Sequence, residues 1–230
     1  MDLALARRLP STSGSVEEVL ALHPQLVVSG NYMAPATRAA LAGLGMRLEE
    51  VPIASTVAES EAQVRHLAKA AGHPERGEAL VARIEAALAT AAPAPGIAPV
   101  PALVWESGGI VAGRTTLIAE LLRRTGFADF AGTRGLHQAD MLPLERVLAD
   151  PPRVILAAGN LHAQEDRLLS HPALAELKGT RRERLEPSLL WCGGPTIIRA
   201  AQRLAEVRAQ VGPLPDKPSP LRLSLSKATR

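Results

Sequence analysis

A twelve-residue phrase occurs nearly twice in this chain, and the duplication limits what the rest can fold into. Residues 17–28 read EEVLALHPQLVV and residues 145–156 read ERVLADPPRVIL. In register, Glu17 matches Glu145, Val19 matches Val147, Leu20 matches Leu148 and Pro24 matches Pro152. Each copy reads as a short helix, a proline stop and an apolar strand. Proline has no amide hydrogen with which to continue a helix, and it drives the residue before it towards extended backbone. The echo continues downstream. Ala40-Leu41-Ala42-Gly43-Leu44 leads to Arg47-Leu48-Glu49, and Ala173-Leu174-Ala175-Glu176-Leu177 leads to Arg184-Leu185-Glu186. Both segments read as helices feeding a second strand, so the pattern predicts two duplicated β-α-β units.

Between the copies lies a helical stretch. Pro74 suits a first turn, and Glu75 and Glu78 suit the positive end of the helix dipole. Leu80, Val81, Ile84, Leu88 and Ala91 follow at helical spacing, and Pro93-Ala94-Pro95-Gly96 stops the run. A helix of about 18 residues is about 27 Å long, enough to join two lobes and hold their separation. Thr56 with Glu59, and Ser15 with Glu18, form capping boxes at two further helix starts. A last helix starts at Pro195 and carries Ile197, Ile198, Ala201, Leu204 and Val211. The predicted fold class is α/β, with two Rossmann-like lobes, each with a short parallel sheet, joined by one long α-helix. The expected division is an incomplete N-terminal lobe over 1–73, an interlobe helix over 74–92, a C-terminal lobe over 93–212 and a disordered tail over 213–230.

Composition narrows the class of function. Hydrophobic residues make up 47% of the chain but aromatics only 2%, so the core is built from aliphatic side chains and alanine. The basic balance comes largely from the tail, where Lys217, Arg222, Lys227 and Arg230 face one acid, Asp216. Cations elsewhere alternate with acids as on a solvated surface, so no nucleic-acid partner is expected. Cys192 is the single cysteine, which rules out an intrachain disulfide. No apolar run approaches the roughly 20 residues that span a bilayer, and Met1–Pro10 has no long apolar segment of the secretory type. The six histidines show no metal-ligand spacing, so no direct metal site is expected.

The ordered set of phrases resembles the class III periplasmic binding proteins of ABC importers, which capture cobalamin, ferric siderophores and haem. The set begins with VEEVLALHPQLVV, LAGLGMRLEEVP and SEAQVRHLAKAAGHPERGEALVARIEAAL. It continues through GIVAGRTTLIAELLRRTGFADFA, LPLERVLADPPRVILA and HPALAELKGTRRERLEP to GGPTIIRAAQRLAEV. It covers roughly residues 13–211 in the family's order. The resemblance implies a monomeric, non-enzymatic, periplasmic protein that hands a metal chelate to a permease in the inner membrane. A genuine start at Met1 would instead imply a cytoplasmic protein. The family order begins with an apolar signal, a strand and a helix before the first repeat, so this sequence is expected to start late in that order. Ala34-Pro35-Ala36 and Cys192-Gly193-Gly194 also stand where members often carry the glutamates that dock to the permease.

In open α/β sheets, ligands bind beyond the carboxyl ends of the strands. That rule selects Tyr32 after the first strand, Trp105 after Ala102-Leu103-Val104, Asn160 and His162 after Arg153–Ala158, and Trp191 after Ser188-Leu189-Leu190. Aromatic faces suit a flat corrin, a porphyrin or a siderophore backbone. Arg114, read as beginning a helix, suits an anionic group. Three rival readings remain. Gly108–Thr115, GGIVAGRT, has phosphate-loop spacing with arginine in place of lysine, although Ile110 and Val111 inside it suggest a short strand. A hydrolase lacks its GxSxG elbow. The third is a cytoplasmic α/β protein that reuses the same fold for sensing or scaffolding, which the missing signal favours.

Overall fold

A computed structural model of the chain describes residue 4 and residues 7–159, 171–190 and 192–211. Both duplicated units are present. In the first, α1 (Val16–Ala21) leads to β1 (Val27–Gly30), and α2 (Pro35–Gly43) returns the chain to β2 (Leu48–Val51). β1 and β2 pair in parallel from Val27 opposite Leu48 to Gly30 opposite Val51. The capping box at α1 forms: Ser15 Oγ accepts from Glu18 N at 3.3 Å, while Glu18 Oε2 accepts from Thr12 and Ser13. These bonds hold the Glu18 carboxyl down to about 2, with the Ser13 hydroxyl the largest cause.

Two helices follow. The first is α3 (Val57–Ala70), whose Thr56 cap accepts from Glu59 N at 3.1 Å. The second is α4 (Pro74–Ala91), the long helix read from the sequence. The chain then enters the C-terminal sheet. Its central strand β3 (Val100–Glu106) pairs in parallel with β5 (Phe127–Asp129) and β7 (Val154–Ala158). The short β4 (Ile110–Val111) runs antiparallel beside its end. Helix α5 (Leu117–Arg124) precedes β5, and β6 (Asp140–Met141) pairs with β4. The second unit is α6 (Leu144–Ala149), β7, α7 (Pro172–Ala175) and β8 (Arg181–Arg184), with β7 and β8 parallel. Helix α8 (Thr196–Gln210) closes the lobe. Residues 212–230, which include the tail, lie outside the described residues.

Alternation along β3 and β7 sorts their side chains into two cores, because successive residues of a strand point to opposite faces. Val100, Ala102, Val104, Val154, Leu156 and Ala158 face α4, α5 and α8. Leu103, Trp105, Ile155 and Ala157 face Leu144 and Val147 of α6 and Leu174 of α7. The result is a three-layer α/β/α lobe. Helix α4 is built into it, with Ile84, Leu88 and Ala91 part of the first core. The N-terminal unit has far less interior: among the described residues before Val57, Leu41 alone is a buried hydrophobic.

Ser188-Leu189-Leu190 is not the strand its apolar pattern suggested. Pro187–Leu189 forms a 3-10 turn, and Leu189 N donates to Glu186 O at 2.8 Å. Proline at the start fixes a helical φ and leaves no amide for a ladder, so the turn prevails over the apolar pattern.

Helices α3 and α4 form a tight hairpin at Gly72, where His73 N donates to Ala68 O at 2.8 Å. They touch at Gly77, where a methyl carbon added to the glycine would stand 2.6 Å from Ala68 Cβ. Alanine at 77 would gain about 1 kcal/mol of intrinsic helix stability. Overpacking costs about 1–3 kcal/mol, and Ala68 has no rotamer through which to yield. Gly77→Ala is therefore expected to lower Tm by a few degrees in a thermal melt, and an unchanged or higher Tm would contradict this packing.

Candidate functional site

The carboxyl ends of β1, β2 and β3 open on one crevice, a cleft of about 410 Å³. From the N-terminal lobe come Tyr32, in the turn after β1, and Ile53–Ser55, after β2. From the C-terminal lobe come Glu106, Ile110, Thr116 and Gln138, with Ala139 and Leu190 at the side. Tyr32 is 82% exposed and Ile53 is half exposed, so aromatic and apolar faces are available to a ligand. Thr116 caps α5: its hydroxyl accepts from Ala119 N at 3.3 Å and donates to Gly113 O at 2.8 Å. Ala139 holds a left-handed φ of 62°, which costs a residue other than glycine about 1–2 kcal/mol. The bond from His137 N to Asp140 Oδ2 at 2.7 Å secures that turn.

Glu106 ends β3 with a half-buried side chain. Burial pushes its carboxyl above the ordinary glutamate range. Among the described residues it makes no hydrogen bond or ion pair, unlike most desolvated carboxylates.

The residues selected from the sequence divide into three groups. Tyr32 stands in the lining of the cleft. Trp105 does not present itself to a ligand. It is 0% exposed and packs with Leu103, Val111 and Phe130, because β3 runs two residues further than expected, to Glu106, and its odd-numbered positions face the second core. Arg114 also departs from expectation. Helix α5 begins at Leu117, and the Arg114 guanidinium donates to Gly132 O at 3.1 Å. Asn160, His162 and Trp191 lie outside the described residues. Sequence reasoning missed Glu106, Ser55, Thr116 and Gln138. Glu106 could have been found by carrying the strand alternation one position past Trp105. The phosphate-loop segment does not form a cradle, because Ile110 and Val111 pair with β6 and Val111 also pairs with Trp105.

The lobes are tied at the base of the cleft. Val57 N, in the first turn of α3, donates to Glu120 Oε2 of α5 at 2.9 Å. Glu120 pairs with Arg124 at 2.9 Å, and Arg124 reaches Glu85 of α4 at 3.7 Å. Gly194 N donates to the buried Ser60 Oγ at 2.7 Å. Glu61 Oε1 is buried without a partner, and burial together with the neighbouring Glu85 carboxyl pushes Glu61 above the ordinary glutamate value of 4.5.

Two predictions follow from this junction. Glu120→Ala is expected to cost about 1–2 kcal/mol in urea denaturation. Glu120→Gln should cost less than half as much, because its amide oxygen still accepts from Val57 N. For Glu61, a raised folded-state value means the native state holds the proton more tightly than the unfolded chain. That contribution to stability is full below the ordinary value and is lost as pH rises through the raised one. Glu61→Gln should therefore raise Tm near neutral pH and give no gain in mild acid, and equal gains at both would refute the assignment.

Comparison with known proteins agrees with this architecture. The family model described as periplasmic binding protein matches residues 2–185. No curated protein sequence matches the chain. Among solved structures, the apo periplasmic heme-binding protein RhuT from Roseiflexus sp. RS-1 is 25% identical with a TM-score of 0.68. The match covers 86% of this chain and 80% of that one. A periplasmic heme-binding protein from Pseudomonas aeruginosa is 26% identical with a TM-score of 0.65, over 87% and 78% of the two chains. Helicobacter pylori CeuE with Ni(II) bound shares the fold at 19% identity and a TM-score of 0.64, over 85% and 65%.

Proposed function

The chain belongs to the periplasmic binding protein family, and from that premise we propose that it is the substrate-binding component of an ABC importer. It captures a metal chelate between its lobes and delivers it to a permease. The observation that carries this reading is the cleft, where strand ends from both lobes converge and Tyr32 and Ile53 face Glu106 and Ile110 across one space. A concave, mostly apolar site with a few polar groups is what a large organic chelate requires. Two of the similar solved structures are heme-binding proteins, and a third carries Ni(II). Capture rather than catalysis is proposed, in a monomer working in the periplasm. Asn160, His162 and Trp191 are proposed as further contacts on their sequence positions alone.

Release is proposed to depend on the permease. Helix α4 is embedded in the C-terminal core and α3 is pinned at Val57 and Ser60, so spontaneous opening is small. Isothermal titration of the purified chain with cyanocobalamin, haem and ferric siderophores tests the reading. Saturable binding of at least one, at about micromolar or below, is expected, weakened at least about tenfold by Tyr32→Ala. A folded chain that binds none of them would favour a sensing or scaffold role for the same fold.

A further inference from the structure

The polar equipment of the cleft is one-sided. Among its described lining residues stands one carboxylate, Glu106, and no lysine, arginine or histidine. The nearest cation by sequence, Arg114, is turned onto the Gly132 carbonyl, and Arg124 is engaged by Glu120 and Glu85. The Thr116 hydroxyl is committed to the helix cap. That leaves the Tyr32 and Ser55 hydroxyls and the Gln138 amide as the remaining polar side chains of the described lining.

A second groove, of about 590 Å³, continues from the cleft along β2 and α3 through the shared residues Ile53 and Ser55. It adds two more carboxylates. Glu50 is paired with Arg38 at 2.9 Å, and Glu59 accepts from Ser55 N at 2.7 Å. Its one titratable nitrogen, on His66, is held by Glu49 at 2.8 Å.

Resting on the capture reading above, we propose that Glu106 is the specificity-determining residue of the cleft. It selects a neutral or cationic metal chelate that presents a hydrogen-bond donor or positive charge to its carboxylate, and it rejects chelates with an anionic periphery. Like charges brought together where water is partly excluded repel far more strongly than in bulk solvent. Once a ligand displaces water from a carboxylate without an internal partner, the group is satisfied only if the ligand brings a donor. The elevated carboxyl value of Glu106 agrees with this: a cationic ligand holds the group ionised, and its binding weakens as pH falls through that value.

The test is calorimetric titration of the whole chain with cationic ferrioxamine B, neutral ferrichrome, anionic ferric enterobactin and haem, repeated on Glu106→Gln. Wild type is expected to bind one of the first two at least about tenfold more tightly than either anionic chelate. Glu106→Gln should bring that ratio to within about threefold, with circular dichroism confirming that the variant is folded. The ranking on the wild-type chain stands as a test even if the variant misfolds. An anionic chelate bound as tightly as the others, or a ratio unchanged in Glu106→Gln, overturns the proposal and leaves capture standing. A folded chain that binds none of the four overturns the proposal, and one that also fails to bind cyanocobalamin removes the capture reading as well.

Discussion

A helix leaves the N–H groups of its first turn without partners in the helix itself. In α3, one of these, at Val57, is taken by the Glu120 carboxylate from the other lobe. A negative charge there also suits the positive end of the helix dipole. Glu120 in turn holds Arg124, which reaches Glu85, so three helices meet around one carboxylate. Ser60, one turn further along α3, accepts from the backbone before α8. The N-terminal strands follow α3 in position, and the cleft exists because their ends are held opposite the end of β3.

Much of this was legible in the sequence. The duplicated helix–strand phrase identified both β-α-β units, since proline stops and apolar runs act locally and mean the same thing in both copies. The long helix and the Thr56 cap were readable for the same reason. Trp105 was misread because its meaning depends on strand length: ending β3 at Val104, two residues early, turns a core side chain into a cleft side chain. Arg114 was misread because β4 and the turn after it delay the helix to Leu117. Both errors arise from non-local pairing, which a linear pattern does not reveal. Glu106 went unnoticed since a glutamate after a tryptophan carries no motif. Only the sheet pairing shows it as the last residue of the central strand.

The cleft combines two kinds of surface with different physical roles. The apolar and aromatic walls reward any large organic surface removed from water, and so discriminate little between chelates. The carboxylate is directional and charged, and its cost when unpaired makes it discriminating. Affinity and choice are thereby assigned to different residues, which allows one scaffold to serve several ligands through a change at a single strand end.

The uneven share of interior between the lobes has a further consequence. With Leu41 as its one described buried hydrophobic before Val57, the N-terminal unit has little cohesion of its own and draws its order from the seam with α3. Local opening free energies therefore fall steeply from the C-terminal sheet to β1 and β2. A ligand gripping Tyr32 and Ile53 would add interior to that unit, so occupancy of the cleft is thermodynamically coupled to the stability of the N-terminal lobe.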